Sequence, residues 1–216
     1  MAARPCSSRV ARISHPPYAP IVLIDLHCHT LPRSRCSALK PEQLVELARS
    51  RGLEGVCLTE HDAFWPADEL AELRERTGFA VFSGMELTTD MGHVLAFGLE
   101  SGSATFAHAR SAFEAAQACG GLLFLAHPAR DGLLRVTHET VEFFESVEAL
   151  NGSDTRLQNV AASGLAHGFR LPGIGGSDAH TTEEVGRVAT RFERPLASNA
   201  DLLEALRAGE YEPVYL

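Results

Sequence analysis

The sequence predicts an α/β fold in which a largely parallel sheet closes, or nearly closes, into a barrel. The first observation behind this is alternation. Short apolar, β-branched runs are separated by amphipathic helical stretches, as when buried parallel strands are joined by crossover helices. The second is the placement of polar residues. IDLHCHT (Ile24–Thr30), LTEHD (Leu58–Asp62), GMEL (Gly84–Leu87), GHVL (Gly92–Leu95), LAHPAR (Leu125–Arg130) and GGSDAH (Gly175–His180) each sit at one end of an apolar run. One histidine or acid at a strand end means little. A whole series of metal-ligand residue types suggests a polynuclear metal centre at a barrel mouth, because functional groups gather where the strands of parallel barrels end.

In chain order the expected strands are Ile21–His27, Gly55–Thr59, Ala80–Ser83, Val94–Leu99, Leu122–Ala126, Val147–Leu150 and Gly173–Gly176, about seven runs of the kind buried on both faces. Among the helices, Lys40–Arg51 opens with Pro41 in its first turn, places Leu44, Leu47 and Ala48 on one face and stops at Gly52. Ala67–Thr77 stops at Gly78 and Thr105–Cys119 at Gly120-Gly121; Thr137–Ser146, Thr155–His167 and Asn199–Ala208 complete the set. One link departs from the alternation. Only LTTDMG separates Glu86 from His93, too short for a crossover helix, and Asp90-Met91-Gly92 reads as a turn. A hairpin-like reversal is expected there. It matters for chemistry, because His93 starts its strand and only a reversed direction brings it to the mouth beside Glu86.

At 216 residues the chain has the length of one domain that buries most of its apolar surface. Residues 21–216 are assigned to the barrel. Residues 1–20 carry Arg4, Arg9 and Arg12, no acid and a Pro16-Pro17 break, without an amphipathic repeat or a secretory apolar core, and are expected to be a disordered tail. No apolar run reaches the roughly 20 residues needed to span a bilayer. The net charge of −9 disfavours duplex nucleic acid, which needs a basic face; it leaves short nucleotides open, since bound divalent ions reverse the local sign. The five cysteines, Cys6, Cys28, Cys36, Cys57 and Cys119, form no CxxC pair, and their odd number fits free thiols in a reducing cytoplasm. Neither a membrane nor a duplex partner is expected, and oligomeric state is left open.

The candidate ligands follow from position. His27 and His29 are two residues apart on a strand and so point to one face; Asp25 shares their parity and either joins them or orients an imidazole. Glu86 follows the apolar AVFSGM, where a bare carboxylate costs several kcal/mol unless paired or metal-bound. His127, before Pro128, ends LLFLA in the same way, and His61 lies between Glu60 and Asp62. Asp178 and His180 repeat the two-residue spacing after a Gly-Gly that lets backbones approach closely.

These motifs, in this order, resemble the polymerase and histidinol phosphatase (PHP) family of metal-dependent phosphoesterases, over roughly Ile24 to Leu216. The resemblance lies in the opening HxH, the TxH, the glutamate, the HP and the SDAH. It implies a distorted (β/α)7 barrel holding two or three divalent metals. It further implies that His27, His29, Glu86 and Asp178 hold one ion, that Glu86 bridges to a second held by His127 and His93, and that His61 and His180 hold a third. Two departures stand out. Many members carry Ser-Asp-Gly shortly after the HxH, whereas LPRSRCSAL supplies no acid between His29 and Glu42, leaving Cys36 as the nearest candidate ligand, one that favours zinc. Glu60 stands where the family often has Asp, and is expected to orient the site.

The expected function is hydrolysis of a small phosphoester (a nucleotide, an oligonucleotide end or a sugar phosphate) by a metal-activated hydroxide. The phosphatase and phosphodiesterase alternatives both stay open, as do zinc, manganese and iron. Asp178 belongs to the catalytic set; His61 or His180 protonates the leaving oxygen if the third site is empty. Arg130, in an HPxR element, grips a phosphate; Arg187, Arg33 and Arg35 are weaker candidates, and Asn151, before Gly152, binds substrate or a ligand. The alternatives are an amidohydrolase-like enzyme and a non-catalytic metal-binding barrel. The first usually wants a metal-bridging lysine and is disfavoured because Lys40, the only lysine, lies at a helix start, although glutamate bridging would serve; intact ligands disfavour the second.

Overall fold

A computed structural model of the chain describes residues 20–99, 106–130 and 136–216, without the side chains of 139 and 140. The expected tail therefore lies outside the described residues but for its last position, as does the first residue of the helix expected from Thr105. The strands are β1 (Val22–Cys28), β2 (Gly55–Leu58), β3 (Ala80–Thr89), β4 (Gly92–Phe97), β5 (Leu122–Leu125), β6 (Ser146–Asn151), β7 (Ile174–Gly176), β8 (Val188–Phe192) and β9 (Tyr211–Tyr215). The helices are α1 (Pro41–Ser50), α2 (Ala67–Thr77), α3 (Ala109–Cys119), α4 (His138–Val141), α5 (Arg156–Phe169) and α6 (Asn199–Ala208). Local chemistry accounts for the helix ends. Pro41 opens α1; the Thr155 and Gln158 side chains form a reciprocal capping box on α5; Ser198 caps α6; and α2, α3 and α6 stop at Gly78, Gly120 and Gly209 in left-handed conformation.

The nine strands of the described residues join one sheet in the order β7-β6-β5-β4-β3-β2-β1-β8-β9. Neighbours among β1, β2 and β3 and among β5, β6 and β7 run parallel. β4 runs antiparallel to both β3 and β5, as the short Glu86–His93 link requires, and pairs His93 opposite Thr88. The sheet nearly closes, because the chain beyond β7 returns beside β1. Asp178 N–H donates to the His27 carbonyl at 2.8 Å and His29 N–H donates to the Ala179 carbonyl at 3.1 Å. Gly176 permits this approach: a Cβ there would collide with the His27 side chain and backbone.

The α/β barrel expectation holds, with three corrections. β8, antiparallel to β1, and β9, antiparallel to β8, extend the sheet beyond the expected strands. The helix expected over Thr137–Ser146 is only α4, since Ser146 enters β6 opposite Phe124 and Glu145 N–H donates to the Leu123 carbonyl. β3 runs past Ser83 to Thr89, so Glu86 stands inside a strand.

The core has an inner and an outer part. Inside the barrel base, Ile24, Leu26, Phe82, Phe97 and Phe124 pack with Leu202, Ala205 and Leu206 of α6. Outside, α1 and α2 cover β2 through Leu44, Val45 and Leu73, and α3 and α5 cover β3 to β6 through Ala109, Ala112 and Ala166. The interior changes character toward the C-terminal ends: Leu26 gives way to His27, Ala126 to His127, and Ile174 to Asp178 beyond the end of β7. The register of β1 against β2 shifts between Asp25 and Cys28, which breaks the simple inward alternation. Asp25 consequently does not join the imidazoles. Its Oδ1 accepts the Ser177 N–H at 2.8 Å and the His27 N–H at 3.3 Å, tying β7 to β1.

Candidate metal centre

Each polar side chain reaches the mouth through its own element. β1 carries His27 and delivers His29 just beyond its end. The loop after β2 pairs with β3, Glu86 N–H donating to the Glu60 carbonyl and Asp62 N–H to the Glu86 carbonyl, so His61 and Glu86 stand side by side. The reversed β4 supplies His93, and the turns after β5 and β7 supply His127, Asp178 and His180. His127 and Asp178 have φ of +26° and +53°, a backbone region that residues with side chains seldom adopt.

Glu86 is the centre of the arrangement. Its Oε1 lies 2.8 Å from His93 Nδ1 and 3.0 Å from His127 Nε2. Its Oε2 lies 3.0 Å from His61 Nδ1, 3.1 Å from His29 Nε2 and 3.4 Å from His27 Nε2. Asp178 Oδ1 lies 3.4 Å from His27 Nε2 and 3.3 Å from His29 Nε2. Three overlapping groups have ligand atoms within 4.8 Å of one another: His27, His29 and Asp178; His61, Glu86 and His93; and His29, His61 and His180.

The donor set fits divalent cations better than mutual hydrogen bonding. His27 Nε2 and His29 Nε2 face each other at 3.0 Å, which two neutral acceptor nitrogens cannot satisfy. Glu86 Oε2 is buried and close to three imidazoles, yet it accepts a hydrogen bond from no described residue. Nearness without hydrogen-bond alignment is what lone pairs aimed at a shared ion produce. The carboxylates give the site a field that favours positive charge: burial opposes charge on His27, but Asp178, Glu148 and Glu86 outweigh it and raise its pKa well above the usual histidine range, a charge that a bound cation would supply in the proton's place. Burial likewise pushes Asp178 up, and His27 and His29 reverse this, leaving the carboxyl below its usual range. Burial pulls His61 down to about 4, against the attraction of Glu86, so it is a neutral donor.

The structure thus brings together His27, His29, His61, Glu86, His93, His127, Asp178 and His180. It does not bring in Cys36, which is exposed and belongs to none of the three groups. Arg130 reaches the cluster but is engaged there. Its Nη2 lies 2.8 Å from Asp178 Oδ2 and its Nε 2.7 Å from Asp154 Oδ1. Asn151 joins them, accepting from Arg130 Nη2 at 3.1 Å and donating to Asp178 Oδ2 at 3.3 Å. Arg33 is held by Glu69 and stacks on Trp65, Arg187 donates to the Glu183 carbonyl, and Arg35 is exposed. Glu60 accepts from the Thr30 N–H and hydroxyl and from Trp65 Nε1, bracing the loop that carries His61.

Two acids escaped the sequence reading. Glu148, on β6, lies 3.0 Å from His27 Nδ1 and accepts the His127 N–H; Asp154 backs Arg130. The signal for Glu148 was an acid within the otherwise apolar run VEAL (Val147–Leu150).

This barrel, with imidazoles and carboxylates at its C-terminal mouth, has a metal-dependent-phosphoesterase-like fold. The chain belongs to the PHP-domain family: residues 25–160 match the PHP domain and residues 156–211 a PHP-associated segment. PsfC from Pseudomonas syringae superposes with a TM-score of 0.69 at 20% identity, covering 91% of this chain and 92% of that one. A two-domain protein containing a predicted PHP-like metal-dependent phosphoesterase, from Bacteroides vulgatus, gives a TM-score of 0.68 at 22% identity over 91% of this chain and 65% of that one. An error-prone DNA polymerase of Nocardia farcinica is 39% identical over 72 residues, which is 33% of this chain and 6% of the polymerase. Among the described residues no helix is long and apolar enough to cross a membrane.

Proposed function

We propose that this protein hydrolyses a small phosphoester (a nucleotide, an oligonucleotide end or a sugar phosphate) at two or three divalent metal ions, zinc, manganese or iron. The observation that carries this reading is Glu86, whose two carboxylate oxygens face different sets of imidazoles. His27, His29, Asp178 and Glu86 would hold one ion, and Glu86, His93 and His127 a second. His61 and His180 stand at the side of His29, where a third would be held. Bound there, divalent ions polarise a phosphoryl group and make water nucleophilic near neutral pH.

The chain's own residues supply the rest. His27, His29 and Glu86 are almost wholly buried, whereas the side chains of His61, His93 and His180 are 30%, 34% and 27% exposed and form the rim that a substrate meets. His61 and His180, where not engaged by an ion, are placed to protonate the leaving oxygen. Arg130 holds Asp178 in its orientation, and an entering phosphate would share its guanidinium with that carboxylate. Small phosphorylated compounds are the substrates this open mouth suits, in preference to duplex nucleic acid.

The test is turnover of p-nitrophenyl phosphate and its bis-ester by protein loaded with Mn²⁺ or Zn²⁺, with Asp178→Asn as control. Metal-dependent release of p-nitrophenol, lost in the control, is the expected result. No turnover of any phosphoester with metals bound would contradict the reading.

A further inference from the structure

Glu148 lies in β6 with its side chain buried, where an unpaired carboxylate would be strongly unfavourable. Its two oxygens are used separately. Oε1 lies 3.0 Å from His27 Nδ1. Oε2 accepts the His127 backbone N–H at 2.8 Å and an Asn151 side-chain N–H at 3.0 Å. His27 comes from β1 and His127 follows β5, strands that are not neighbours in the sheet. One carboxylate therefore ties together two sides of the mouth.

We propose that Glu148 is a positioning residue that aims His27 and His127 at Glu86 together. The inference rests on the metal-centre reading above. An acceptor at His27 Nδ1 keeps the ring proton there and leaves Nε2 as the lone-pair donor. Nε2 is the atom 3.4 Å from both Glu86 Oε2 and Asp178 Oδ1. At His127 the contact is to the backbone, at a residue with φ of +26°. Glu148 anchors that unfavourable conformation, and the imidazole then presents Nε2 to Glu86 Oε1 at 3.0 Å. Only a carboxylate accepts at both of its terminal atoms; glutamine accepts at one and donates at the other. Through Asn151, whose amide also reaches Asp178 Oδ2 at 3.3 Å, the same group steadies a further candidate ligand.

The experiment measures Mn²⁺ binding to the full-length chain by the paramagnetic resonance of free Mn²⁺, together with thermal unfolding with and without the ion. Glu148→Gln should bind Mn²⁺ about 10- to 100-fold more weakly, the range for loss of a group that orients a metal ligand. The rise in its unfolding temperature on adding metal should shrink, over and above any fall in the metal-free value from the lost buried hydrogen bond. If that variant does not fold, Glu148→Asp carries the test. It keeps the charge but is too short to hold both His27 and His127, so it too should bind weakly. Parental affinity in whichever variant folds, or an equal fall in unfolding temperature with and without metal, would overturn the proposal. Failure of both variants to fold would overturn it as well, making Glu148 a core residue. A parent that binds no Mn²⁺ would sink the metal-centre reading and this proposal together, whereas parental binding by the variant removes the proposal alone.

Discussion

Arg130 stands between two carboxylates, its Nη2 2.8 Å from Asp178 Oδ2 and its Nε 2.7 Å from Asp154 Oδ1. The residue expected to grip a phosphate already grips a candidate metal ligand. One guanidinium is able to serve both tasks, because its fork bonds several oxygens in fixed directions. Arg130→Ala should remove about 1.5–3 kcal/mol of charged hydrogen bonding. That corresponds to a loss of about ten- to a hundredfold in kcat/KM at saturating metal. Arg130→Lys should recover little, since an ammonium cannot reproduce the fork between Asp154 and Asp178. Steady-state kinetics on an active phosphoester check this; parental rates in Arg130→Ala would make it a surface residue.

Glu86→Gln replaces one of the two carboxylate oxygens, which face different imidazole sets, by an amide that donates. Metal content, measured by elemental analysis after dialysis, should fall from at least two ions per chain to at most one. The stabilisation on adding metal, about 2.7 kcal/mol when free ion is at a hundred times its Kd, should fall with it. Retention of the full metal content would remove Glu86 from its bridging role.

Cys36→Ser should leave the metal content unchanged, because the thiol is exposed and belongs to none of the convergent groups. Elemental analysis of zinc-loaded protein decides this. Loss of an ion would show that the thiol completes the third site after all.

Gly176→Ala should destabilise the fold by at least the about 1–3 kcal/mol typical of overpacking. The added Cβ meets the His27 side chain and backbone, and neither can give way without opening the seam between β7 and β1. Chemical denaturation measures the difference; parental stability would mean that the seam is looser than described.

Much of the mouth was legible because each ligand ends or interrupts an apolar run, so a histidine or acid marks the point where the barrel interior turns polar. The reversal at β4 was legible from the shortness of the Glu86–His93 link and its Asp90-Met91-Gly92 turn. β8 and β9 were not: RVATRF and YEPVYL carry arginine, glutamate and proline at an antiparallel margin, and lack the continuous apolar signal of a doubly covered strand. The overlong helix before β6 was lost to long-range pairing, where Ser146 meets Phe124 and its hydroxyl accepts the Gly173 N–H. Glu148 was hidden for a related reason, since its partner His27 lies far away along the chain and only the closed barrel brings them together.

The proposed centre of at least two metals bridged by Glu86 is tested most directly by anomalous X-ray diffraction from crystals grown with Mn²⁺ or Zn²⁺. The expected result is at least two anomalous peaks, one within bonding distance of each Glu86 oxygen, with His27, His29 and Asp178 around the first and His93 and His127 around the second. Metal-replete crystals in which Glu86 touches no anomalous peak would contradict it.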